Sequence, residues 1–87
     1  MSKKVIVTVR DTKAEAYFSP LFVRSKGEAI RSFADEVNNK DNSIIGQHPE
    51  DFHLVYLGTF DEGTAQFELA DAPVALARGL DLVRSTE

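Results

Sequence analysis

At 87 residues and 43% hydrophobic content the chain suits one small domain spanning 1–87, with a single thin core and no room for a second. It has no cysteine, which excludes a disulfide framework and thiolate metal sites, so stability must come from packing. The net charge of −4 is unevenly spread: residues 1–40 carry eight basic and five acidic side chains, a balance of +3, and the remainder carries two basic and nine acidic, a balance of −7.

KVIVTVR, residues 4–10, places Val5, Val7 and Val9 on one face and Ile6, Thr8 and Arg10 on the other, the period of a strand. DTKAEAYFSPLFVRS then opens on a turn signal and runs through aromatic and β-branched residues from Ala16 to Val23. Pro20 has no N–H for a ladder, so this second strand is expected at a sheet edge, bulged or broken at the proline. Ser25 followed by Glu28 predicts a capping box, and Ile30, Phe33, Ala34 and Val37 continue as the apolar stripe of a helix. NNKDNS, residues 38–43, ends that helix in a loop.

HPED, residues 48–51, reads as a turn with Pro49 at its first position and two carboxylates at its amide end. Phe52–Phe60 and Thr64–Leu69 form a predicted hairpin joined by Asp61-Glu62-Gly63, with the glycine available for positive φ. Asp71 resembles an N-cap and Pro73 a first-turn residue, so Val74, Leu76, Ala77, Leu80 and Val83 outline a short C-terminal helix weakened by Gly79. The predicted fold is α+β in the order ββαββα: a mainly antiparallel four-stranded sheet, a helix packed on one face and a short C-terminal helix.

Several chemistries find no template. His48, Glu50, Asp51 and His53 are close in sequence, but a turn and an alternating strand do not by themselves aim them at one ion, and no HExxH or glycine-rich phosphate loop is present. No metal or other cofactor is expected. The serines lack a nucleophile elbow, and a chain this small has little room for a walled pocket, so no enzymatic activity is expected. No apolar run approaches the roughly 20 residues of a membrane span or the h-region of a signal peptide, and the expectation is a soluble cytoplasmic protein with no membrane partner.

What remains is the basic half with its rings. Arg10 and Lys13 flank the first turn, Tyr17 follows, and Arg24, Lys26 and Arg31 surround the start of the helix. Cations tracking a backbone beside aromatic faces are the ingredients of single-strand binding without sequence preference, and these six residues are the candidate nucleic-acid-binding set. Phe18 and Phe22 read as core residues.

The wording of three blocks adds to this. VRDTKAEAY with PLFV, the helix GEAIRSFADEVN, and HPEDFHLVYLGTFDE together resemble the small nonstructural proteins, often labelled DNA-binding, of gokushovirus-type single-stranded DNA microphages (Microviridae). The resemblance runs over about residues 7–84 in the same order, and RDTKAEAY and HPEDF to GTFDE are its specific parts. It implies a nonenzymatic role in the host cytoplasm, favouring single-stranded genome synthesis or packaging. It places Arg10 to Ala14 in the best-matched block, with Arg10 and Lys13 as the residues expected to touch phosphate, and His48 to Phe52 in the second. Two functions follow as expectations. One is a single-stranded-DNA-binding module, expected as a homo-oligomer in which weak basic patches add. The other is a protein-interaction factor that engages phage replication or capsid proteins through the acidic half or a sheet edge.

Overall fold

The computed structural model describes residues 3–84. It is α+β. The elements are β1 (Lys3–Asp11), β2 (Ala16–Tyr17), β3 (Leu21–Val23), α1 (Lys26–Val37), α2 (Ile44–Gln47), a 3₁₀ turn (Pro49–Asp51), β4 (Phe52–Asp61), β5 (Gln66–Arg78) and a second 3₁₀ turn (Gly79–Leu82). All strand pairings are antiparallel: β1 lies between β4 and an edge shared by β2 and β3, and β5 forms the opposite edge. The break in the shared edge is Phe18–Pro20, where the sequence placed it, and Thr8 holds it by donating its hydroxyl to the Phe18 carbonyl.

Strand alternation gives the sheet two unlike faces. Val5, Val7 and Val9 of β1 and Phe52 and Leu54 of β4 face α1, whose Ala29, Phe33 and Val37 complete the core with Ile45 of α2 and Leu82. The helix begins as expected at Ser25, whose hydroxyl accepts from the Glu28 amide at 3.0 Å. The reciprocal half of the cap is displaced by one residue: Glu28 accepts from the Arg24 amide at 2.7 Å and from the Arg24 guanidinium at 3.1 Å, which holds its carboxyl below the usual range, the backbone bond contributing most. α2, unanticipated in the sequence, is capped by Ser43, which accepts from the Ile45 and Gly46 amides.

The C-terminal helix expected over Asp71–Val83 does not form. Residues through Arg78 instead continue β5, and only Gly79–Leu82 turns, as 3₁₀. The reason is the partner: β4 offers a ladder to residues 74–78, and pairing of Val55 with Ala75 and Leu54 with Ala77 outweighs the local helical preference of an alanine- and leucine-containing stretch. Asp71 and Pro73 lie in a bulge, Ala70–Pro73, set between the pairs Gly58–Leu69 and Tyr56–Val74. There proline's missing N–H breaks no ladder bond.

The β4–β5 turn also differs from expectation in one detail. The left-handed residue is Ala65 (φ 61°), not Gly63, whose amide instead donates to Asp61 Oδ1 at 2.8 Å. The β1–β2 turn repeats the design: Asp11 Oδ1 accepts from the Lys13 and Ala14 amides, and Glu15 is left-handed (φ 56°). In each turn an aspartate organises four loop residues and the last of them reverses the chain. Positive φ at a glycine occurs at Gly58 (149°), beside the bulge, where an added Cβ would lie 2.7 Å from the Leu69 Cα.

Candidate nucleic-acid interface

The register of the sheet assembles a site from four strands. Arg10 of β1 is paired with Tyr17 of β2 on one side and with His53 of β4 on the other, and His53 is paired with Arg78 of β5. Directly opposed residues share a face, so Tyr17, Arg10, His53 and Arg78 form a row across the sheet on the side away from α1. At about 4.8 Å per strand the row is roughly 14 Å wide. The Arg10 guanidinium lies over the Tyr17 ring, 5.1 Å from its centroid, and Tyr17 remains 46% exposed. Lys13 stands in the turn at the end of the row and is exposed. Asp11, its neighbour, is committed to capping that turn. Among the described residues no ion pair engages Arg10 or Lys13, whereas Arg78 is held by Asp81 through two bonds of 3.0 and 3.2 Å.

The turn carrying Lys13 is fastened to the HPED turn. Thr12 donates to the Asp51 carbonyl through its backbone amide at 2.9 Å and through its hydroxyl at 3.0 Å. The two most distinctive stretches of the sequence, RDTKAEAY and HPEDF, are thus one structural unit at one end of the sheet. A family model described as Phage ORF5 protein matches residues 4–82. The chain belongs to that family. Protein ORF5 of Chlamydia phage 1 is 36% identical to it over 70 residues, 77% of this chain and 73% of that protein. No solved structure matches it. The likeness to a gokushovirus-type Microviridae phage protein read from the sequence blocks holds at this level.

In this ORF5-family chain the six candidate residues divide into two groups. Arg10, Lys13 and Tyr17 sit at the row. Arg24, Lys26 and Arg31 cluster around the start of α1 on the opposite side of the sheet, and Val23, which precedes them, pairs with Val5, five residues along β1 from Arg10 and about 17 Å away at strand rise. Arg24 is paired with Glu28 at 3.1 Å. The Lys26 ammonium sits 4.4 Å from the centroid of Tyr56, and Arg31 is exposed without an ion pair among the described residues. A strand of nucleic acid on one face reaches one group, not both.

Sequence reasoning passed over His53 and Arg78 because their place in the row depends on register between strands far apart in the chain. It also took Phe22 for core; Phe22 is 48% exposed and packs edge-on to Phe60 (5.7 Å between centroids) and Phe67 (6.4 Å) on the face away from α1. Phe18, by contrast, turns to the α1 side and meets Phe52 at 5.9 Å, though it stays 42% exposed. It borders an apolar slot of about 320 Å³ between α1 and the broken edge, floored by Val7, Val9 and Leu54.

The 3₁₀ turn brings ligand atoms of His48, Glu50 and Asp51 within 4.8 Å of one another, a closer approach than the sequence suggested, because the Asp51 amide bonds back to the His48 carbonyl. His53 leaves this group along β4. His48 and Glu50 are exposed and Asp51 is half-buried, the ordinary setting of such residues around a turn. Among the described residues no helix is long and apolar enough to cross a membrane.

Proposed function

We propose that this phage protein is a nonenzymatic nucleic-acid-binding module that holds single-stranded DNA at the cationic end of the sheet face away from α1 and assists single-stranded genome synthesis or packaging in the host cytoplasm. The observation that carries the reading is the row itself: an exposed tyrosine with the Arg10 guanidinium over its ring, His53 and Arg78 in line with them on the face away from α1, and Lys13 in the adjoining turn. Tyr17 offers a ring face to a base, Arg10 spans base and phosphate, and Lys13 reaches the next phosphate from the turn. An exposed ring such as Tyr17 suits unpaired bases, whose faces are open, and not a duplex, whose bases are stacked shut.

The test is fluorescence anisotropy with labelled single- and double-stranded oligonucleotides over a salt series. Single strands bind more tightly, and the slope of log affinity against log salt falls by about 1.4 in Arg10→Ala/Lys13→Ala, from about 0.7 per phosphate contact removed. Tyr17→Ala weakens single-strand binding roughly 10- to 100-fold, the value of one base–aromatic stack, without altering the slope. Arg24→Ala/Arg31→Ala leaves binding unchanged. The competing reading, a factor that engages phage replication or capsid proteins without touching DNA, draws on the exposed apolar residues Phe67, Leu69 and Val74 of edge strand β5. Absence of salt-dependent binding at low ionic strength decides for it.

A further inference from the structure

The helix-free face has a second feature at the end opposite the cationic row. Phe22 of β3, Phe60 of β4 and Phe67 of β5 form a cluster in which Phe60 and Phe67 approach to 4.9 Å, and Leu69 continues it along β5. Phe22, Phe67 and Leu69 are 48%, 57% and 66% exposed. The rings pack against one another at interplanar angles of 51° to 77°, so they make one apolar boss and do not present separate parallel platforms for bases. Its surroundings are unsuited to phosphate: Lys4, the cation beside the rings, is paired with Glu62 at 3.8 Å.

We propose that this boss is the contact surface for a second copy of the chain, related by a two-fold axis. A two-fold interface must be complementary to itself. An apolar centre with Lys4 and Glu62 side by side at its rim meets that condition, because rotation sets Lys4 of one copy against Glu62 of the other and buries ring against ring. The exposed parts of Phe22, Phe67 and Leu69 supply about 300 Å² of apolar surface per copy, taking about half of a roughly 200 Å² side chain for each. An interface of standard size draws about 450 Å² of apolar surface from each partner, so the boss supplies most of the apolar centre of a dimer at the weak end of the stable range. The pairing does not depend on DNA binding. It leaves Tyr17, Arg10 and Lys13 uncovered at the far end of each sheet, so a dimer presents two rows to one strand.

Sedimentation velocity of the full chain without DNA, from low micromolar to near-millimolar concentration, tests this. Wild type shifts from monomer to dimer, and Phe67→Asp raises the dimer dissociation constant on the order of 100-fold, as for a charge set in an interface centre, with an unchanged far-UV spectrum. The rim gives a test independent of the rings. Lys4→Glu and Glu62→Lys each self-associate less than wild type, and an equimolar mixture of the two recovers dimer as a heterodimer, since each now carries one sign of charge. A wild type that stays monomeric throughout, or a mixture no more associated than its components, overturns the proposal. So does a monomeric wild type whose oligonucleotide binding is lost in Phe67→Asp, which would assign the boss to bases. A failure of DNA binding with dimer formation intact overturns the function proposed above and leaves this interface standing.

Discussion

Asn38 is the residue whose removal tests the packing most directly. As the C-cap of α1 it reaches out of the helix: Nδ2 donates to the Ala34 carbonyl at 2.7 Å and the Leu82 carbonyl at 3.0 Å, and Oδ1 accepts from the Arg84 amide at 2.8 Å. The Ala34 carbonyl also receives the Asn38 backbone amide at 3.1 Å, so loss of the side chain leaves it satisfied. The Leu82 and Arg84 bonds have no such reserve, and they pin the segment after β5 to α1. At about 1 kcal/mol net for each, Asn38→Ala costs about 2 kcal/mol. In a domain of this size that is a fall in Tm of about 8–16 °C. The assay is thermal unfolding by circular dichroism, together with amide exchange at Arg84, which should accelerate. Asn38→Asp separates the two bonds: it keeps an acceptor for Arg84 but faces a carboxylate toward the Ala34 and Leu82 carbonyls, so it is no better than alanine at neutral pH and improves as the carboxyl protonates and becomes a donor. A loss under about 0.5 kcal/mol with Arg84 exchange unchanged would refute the docking argument, since it falls below the net value of one hydrogen bond.

Three further outcomes follow from the backbone and one carboxylate. Gly58→Ala forces a side chain to adopt φ 149° and to overlap β5 at Leu69, and it lowers stability by about 3 kcal/mol in urea denaturation. Ala65→Gly raises it by about 0.5 kcal/mol in the same experiment, because relief of a left-handed alanine, about 1–2 kcal/mol, exceeds the entropy that glycine adds to the unfolded chain. Glu28 has a carboxyl held below its unfolded value by the Arg24 amide and then its guanidinium, so its contribution is complete above the unfolded value and is lost as pH falls through the folded one. Stability measured across the acid range therefore declines less in Glu28→Gln than in wild type.

The sequence disclosed most of the local structure and little of the assembly. Alternating valines in β1, the proline break in the edge and the apolar stripe of α1 are signals confined to a few adjacent residues, and each appears in the structure where those residues put it. Residues 71–78 misled because PVALAR carries neither a strict strand period nor a β-branched run, and its state was decided by β4, about twenty residues earlier. Of the candidate site, Arg10, Lys13 and Tyr17 were legible because a single hairpin holds them. His53 and Arg78 were not, since only the register of four strands aligns them. Arg24, Lys26 and Arg31 lie apart from the first three because the chain leaves the sheet after β3 and passes to the α1 side, so groups close in sequence end on opposite faces.

The central place of β1 bears on how the chain is made. It leaves the ribosome well before β4, a strand it pairs with, which begins at Phe52. Until β4 has emerged, β1 has an open edge and Val5, Val7 and Val9 lack the Phe52 and Leu54 side of their core. Sheets built on such distant pairing fold in milliseconds to seconds, slower than helical domains of equal length. A nascent chain of this kind is exposed to aggregation during that interval, so the yield of folded protein in an infected cell depends on the rate of β4 docking as well as on final stability.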